Sequence, residues 1–171
     1  MARRELTVAQ AWRALERVPD PEVPVVSLCE LGIVRRVRRV DGDLEVTLTP
    51  TYSGCPATEA IAASVRQALG RAGETRVVLR TQLSPPWTTD WISAAGRDKL
   101  RRYGIAPPEP GGAAEVGGKD WQPLRFQPAS PACPRCGSRR SRRLSQFGAT
   151  ACKALYRCEA CLEPFEYFKP I

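Results

Sequence analysis

The sequence predicts an α+β protein: a small domain with element order α-β-β-α-β-α, followed by a short C-terminal ribbon built on cysteines. Three observations predict it. Apolar residues recur at helical spacing after Thr7, two strand-like runs flank Asp41-Gly42, and two Cys-x-x-Cys pairs stand near the C-terminus. Thr7 and Gln10 form a capping box, and Val8, Ala11, Trp12, Leu15 and Val18 then repeat until Pro19 stops them. Ile33 to Val40 and Leu44 to Thr49 read as strands, because Asp-Gly is a favoured type I′ hairpin dipeptide. In the second run Leu44, Val46 and Leu48 alternate with polar residues, as in a half-buried strand. The first run alternates less cleanly, with four arginines among its valines. A helix follows from about Ala57 to Leu69, with Ile61, Val65 and Leu69 on one face, closed by Gly70 or Gly73. Thr75 to Arg80 is a third strand. A last helix starts at Thr88 or Thr89 and ends at Gly104, burying Trp91, Ile92, Ala95, Leu100 and Tyr103.

Between Ile105 and Ala132 stand six prolines and four glycines, which exclude a regular helix or a central strand. The chain therefore divides into residues 1–106, a linker over 107–130, and a segment 131–171 that is too small to bury a core without a staple. The whole is 171 residues with 26 Lys plus Arg, 18 Asp plus Glu, seven Cys and no His. Lacking imidazole, it has no Ser-His-Asp or Cys-His catalytic arrangement and no His-containing metal site. The net charge of +8 suits an acidic partner or a nucleic acid without choosing between them. Neither a secretory signal nor an apolar run of about 18 residues is present, so a soluble, cytoplasmic protein is expected, with no membrane association. In a reducing compartment an odd number of cysteines points to metal ligation or thiol chemistry rather than a disulfide framework.

Cys133-Pro-Arg-Cys136-Gly137 and Cys158-Glu-Ala-Cys161 are two knuckles separated by 21 residues. They can deliver four sulfurs tetrahedrally to one ion, which makes Cys133, Cys136, Cys158 and Cys161 the expected ligands of a structural zinc; iron is compatible with the same set. Ion binding would supply the folding free energy that the segment lacks. Cys152, left over between the knuckles, fits an ordinary core position. The tail aromatics Phe165, Tyr167 and Phe168 fit a last strand packed on the ribbon. Arg139, Arg140, Arg142 and Arg143 would suit phosphate, but no aromatic residue interleaves them and no recognition helix accompanies them. A solvated or protein-facing turn is the better reading; nucleic-acid or adaptor binding is the alternative.

Upstream, Thr49-Pro-Thr-Tyr-Ser-Gly-Cys55-Pro56 joins the second strand to the second helix. A cysteine just before Pro at a first helical position sits where the helix dipole favours an anion, so Cys55 would be an acidic thiol, and Gly54 clears space beside it. The same residue also suits a small buried side chain. Asp20-Pro21-Glu22 is a rigid turn whose carboxylates could approach Cys55 or cap a loop. A thiol enzyme is disfavoured, because Cys55 has no histidine to act as its base.

Asp20-Pro21-Glu22, Glu30-Leu31-Gly32 and Thr51-x-x-x-Cys55-Pro56 resemble the SufT-like iron–sulfur cluster assembly domain. Where many such domains carry a hydrophobe or Asp, this chain has Cys29. The fuller stretches Thr49 to Glu59, Pro86 to Ile92, Tyr103 to Pro108 and Phe147 to Cys158 resemble the PaaD (PaaJ) family of the bacterial phenylacetyl-CoA epoxidase system. That resemblance implies a non-catalytic accessory subunit in aerobic phenylacetate breakdown, which would mature or deliver an iron or iron–sulfur centre. The implied partners are the oxygenase subunits or the iron–sulfur flavin reductase. Cys55 would transiently ligate iron or a cluster, with Asp20 or Glu22 as an auxiliary oxygen ligand; a homodimer sharing one cluster is compatible with the same motif.

Overall fold

A computed structural model describes residues 5–52, 54, 56–109 and 130–170. Helix α1 (Val8–Leu15) opens on the expected capping box: Thr7 Oγ1 accepts from the Gln10 N–H at 3.2 Å and Gln10 Oε1 from the Thr7 N–H at 2.9 Å. Strands β1 (Val34–Val40) and β2 (Asp43–Leu48) form an antiparallel hairpin, turned by Asp41 and Gly42 at φ of 50° and 82°. Helix α2 (Thr58–Arg71) buries Ile61, Val65 and Leu69 and leads to β3 (Val77–Thr81), which pairs with β2 in parallel. The sheet order is β1-β2-β3.

The untidy alternation of β1 has a cause. The pairing register shifts between Val34 and Arg36, and this bulge lets Val34 and Val37, three apart, both point inward. Strand β2 departs from the half-buried expectation. As the middle strand it buries Glu45 and Thr47 as well as Leu44, Val46 and Leu48. Glu45 tolerates this because Arg38 from β1 (2.7 Å) and Arg80 from β3 (3.3 Å) both reach it. Those arginine contacts, with the Arg38 hydrogen bond the largest of them, hold its carboxyl below the usual range.

The expected last helix is broken. A 3-10 turn (Thr89–Trp91) is followed by extended Ile92 and then by α3 (Ala94–Tyr103), because Ser93 turns its backbone N–H to Glu30 O at 2.8 Å instead of continuing the helix. Ile92 and Leu100 are buried as expected, whereas Ala95 and Tyr103 are exposed.

The chain divides into two compact units between Gly96 and Arg97. That lies ahead of the compositional break after 106, because Ile105 and Ala106 form strand β4, paired in parallel with β7 (Pro164–Phe168). With β5 (Ser141–Ser145) and β6 (Lys153–Cys158) they make a sheet of order β4-β7-β6-β5. Its core gathers Ala106, Cys133, Ala154, Tyr156, Cys158 and Phe165. Tyr156 stacks on Phe165 and meets Tyr167 edge-on, with ring centroids 5.9 and 5.7 Å apart. Among the described residues no helix is long and apolar enough to cross a membrane.

Candidate metal centre

Both knuckles are shaped by their own backbone. In the first, the Gly137 N–H donates to Cys133 O and the Cys133 N–H to Ser138 O, each at 2.9 Å. Gly137 takes a φ of 74°, which glycine adopts without steric cost. In the second, Cys158 ends β6 and donates its N–H to Glu163 O at 2.9 Å. Here the left-handed position falls on Leu162, at φ 64°. Arg135 of the first knuckle pairs with Glu163 of the second at 2.6 Å.

These turns bring four sulfurs together. Cys133 and Cys161 Sγ lie 3.7 Å apart, Cys136 and Cys158 Sγ 3.6 Å, and all four fall within 4.8 Å of one another. Sulfurs bound at about 2.3 Å to one tetrahedral ion stand about 3.8 Å from each other, so the spacing fits a single Cys₄ ion. The separations are far beyond a covalent S–S bond of about 2.05 Å. Cys133 and Cys158 are buried, while Cys136 is exposed and Cys161 half-buried.

The electrostatics favour a cation. Backbone N–H groups of Cys161 and Ala160 donate to Cys158 Sγ at 3.5 and 3.4 Å and bring that thiol down to about 6 against the opposing effect of burial. At Cys161 the Glu163 N–H favours the thiolate, yet burial and the sulfurs of Cys136, Cys158 and Cys133 push it up to about 12. One thiolate thus discourages the next, and a divalent ion relieves that repulsion. Four thiolate donors suit zinc or iron and leave no open coordination position.

The other cysteines take different parts. Cys152 is buried, with its sulfur 3.0 Å from Thr150 Oγ1, and stands outside the four-sulfur cluster. Cys29 is partly buried, and burial, then the charges of Glu16 and Glu30, push its thiol up to about 12. It is a neutral thiol at physiological pH. Cys55 lies outside the described residues, so the expected set of Cys55, Asp20 and Glu22 rests on the sequence. Asp20 is buried, and its Oδ1 accepts from the Glu22 and Val23 N–H groups at 2.9 and 2.8 Å, so it caps its own loop. Near the start of α2, a cleft of about 150 Å³ opens among Ile33, Pro50, Thr58, Ile61 and Thr81.

Two of the motifs turn out to meet. Glu30 Oε2 accepts from the Ser27 N–H at 2.9 Å, Trp87 Nε1 donates to Leu31 O at 2.9 Å, and Arg35 lies 3.5 Å over the Trp91 ring. Gly32, at φ 72°, packs so tightly that a Cβ there would come within 2.8 Å of Trp91 Cβ. The Glu-Leu-Gly and Trp-rich motifs are therefore one structural latch, a function that spacing along the chain could not show.

Comparison with known proteins agrees with both halves. Residues 9–79 match an iron–sulfur cluster assembly protein family and residues 122–169 the PaaD zinc beta ribbon domain. A 1,2-phenylacetyl-CoA epoxidase subunit of Escherichia coli (strain K12) is 44% identical over 96% of this chain and 93% of its own. The chain belongs to the PaaD family of epoxidase subunits. Its N-terminal half is also similar to the Fe-S protein maturation auxiliary factor YitW of Bacillus subtilis (strain 168), 37% identical over 53% of this chain and 81% of that protein. Among solved structures, a DUF59 domain from Bacillus anthracis superposes with a TM-score of 0.50 at 26% identity, covering 54% of this chain and 90% of that one. Family membership thus joins the two units: an iron–sulfur assembly fold and a ribbon with four clustered metal-binding cysteines.

Proposed function

We propose that this protein is a non-catalytic accessory subunit of a phenylacetyl-CoA epoxidase that matures or delivers an iron or iron–sulfur centre to the oxygenase subunits or their reductase. The observation that carries this reading is the 44% identity spanning both units, and the likeness of the N-terminal half to maturation factors supports it. In this reading Cys55, just ahead of Pro56 and α2, loses its proton where the helix dipole favours the thiolate and ligates the incoming iron. Asp20 or Glu22 lends a carboxylate oxygen. The cargo is held by few ligands and so leaves readily. In the ribbon, by contrast, zinc is resident and structural, since four thiolates complete its coordination.

Anaerobic reconstitution of the full chain with ferrous iron and sulfide tests this. Visible absorption should develop in the wild type and fall away in Cys55→Ala, while about one zinc per chain stays in both. The same spectrum in the variant would remove Cys55 from the role. Iron rather than zinc in the protein as isolated would reassign the ribbon.

A further inference from the structure

Strand β5 is the free edge of the C-terminal sheet, and among the described residues no backbone hydrogen bond reaches it from its outer side. Natural edge strands are usually protected, since open N–H and C=O groups invite another strand. This edge carries Arg142 and Arg143, preceded by Arg140, all exposed. Other arginines of the unit have carboxylate partners: Arg102 with Asp98, Arg135 with Glu163, Arg139 with Glu109. No ion pair to a described carboxylate is found for Arg140, Arg142 or Arg143. Across the ladder, Arg142 stands directly opposite Arg157 of β6, a like-charge pair that opposes folding. Arg142 and Arg157 line an open cleft with Leu162 and Glu159, the one carboxylate among its lining residues. Around this edge Leu144, Phe147 and Leu162 are 43, 61 and 60% exposed.

We propose that the β5 edge, with Arg157 and Leu162 beside it, docks an extended acidic segment of a partner protein, which adds as a further strand. Carboxylates on the segment meet Arg142, Arg143 and Arg157, and its apolar side chains cover Leu144 and Leu162. A second copy of this chain is the wrong occupant, because pairing β5 with β5 would set like-charged arginines against each other. Nucleic acid would satisfy the charge but leave the strand edge and the two leucines unused. The proposal goes beyond metal handling and does not depend on it.

The test uses the full chain and a fluorescent peptide of alternating Glu and Val, about ten residues long. Binding is followed by anisotropy. The peptide should bind, more weakly as salt rises, and R142E/R143E should weaken it about tenfold or more. R142Q/R143Q should fall between, and covers the case in which charge reversal disturbs the fold, read by the metal content of each variant. Replacing two central Val by Pro should also weaken binding about tenfold, since Pro cannot complete the ladder. Four results would overturn the proposal: no binding of the Glu-Val peptide, equal binding of its Pro version, an affinity indifferent to both arginine variants, or tighter binding of a single-stranded oligonucleotide of equal charge.

Discussion

The two units treat their charges in opposite ways. In the N-terminal unit arginine is an internal brace: Arg38 and Arg80 grip the buried Glu45, Arg39 grips the buried Glu74, and Arg76 pairs with Asp43 at 2.5 Å. The C-terminal unit leaves Arg140, Arg142 and Arg143 in solvent and sets Arg142 against Arg157. The cores differ in the same sense. The first unit buries a broad set of aliphatic side chains, among them Leu15, Leu28, Ile33, Leu44, Val46, Val65 and Leu69. The second relies on a few aromatics and four sulfurs. A unit stabilised by an ion is released from the need to satisfy every surface charge internally, and its surface is free for recognition.

The largest expected effect follows from that division. Stripping the metal with a chelator, or replacing Cys158 by Ser, should unfold the C-terminal unit while the N-terminal unit stays folded. Amide hydrogen exchange on the full chain is the measurement. Protection in β6 and β7 should vanish while protection in β2 and α2 remains. Equal loss in both units would mean that the ion supports the whole chain, and the contrast would fail.

The next test strikes the internal brace. Glu74 is buried, accepts from the Leu6 N–H at 3.3 Å and is gripped by Arg39. Burial acts to raise its pKa, but Arg39 and the Arg76 and Leu6 backbone N–H groups outweigh it, and the net shift is downward from 4.5. A carboxylate whose folded pKa is depressed adds stability that is full above its unfolded pKa and fades as the pH falls through the folded one. Glu74→Gln should therefore destabilise the N-terminal unit by about 3 kcal/mol at neutral pH, with Arg39 left unpaired. The difference from wild type should shrink as the pH drops below about 4.5. Denaturant melts monitored by Trp fluorescence at pH 7 and pH 3.5 would show it; a gap that widened in acid would invert the sign and break the argument.

How far these features could be read in advance varies with their range along the chain. The α1 cap, the Asp41-Gly42 turn and the two knuckles are local, set by residues a few positions apart, and all four appear as read. What escaped the reading depends on distant partners. Glu45 looked like an outward polar residue because nothing nearby in sequence shows that Arg80, from the far side of α2, would cover it. Strand β4 was hidden in a proline-rich stretch because only its pairing with Glu166 and Tyr167 makes Ile105 and Ala106 a strand. The break before α3 likewise follows from one hydrogen bond to Glu30. At Asp20 the carboxylate reads equally as a ligand or a cap, and the described structure gives it the cap.

The smallest expected effect separates recognition from stability in the ribbon. Leu162 occupies at φ 64° the left-handed position that Gly137 fills at φ 74° in the other knuckle, and it leaves its side chain 60% exposed. A β-carbon in that region costs about 1 kcal/mol, and so exposed a side chain recovers little of it by burial. Leu162→Gly should therefore stabilise the C-terminal unit, by up to about 1 kcal/mol after glycine's greater loss of backbone freedom is set against the gain. If Leu162 is part of a docking face, the same change should weaken capture of the acidic peptide although the fold has become more stable. Thermal melts and anisotropy on one protein preparation give both readings. Stability and affinity falling together would make Leu162 a packing residue, and the ribbon would then resemble the N-terminal unit in serving its own fold first.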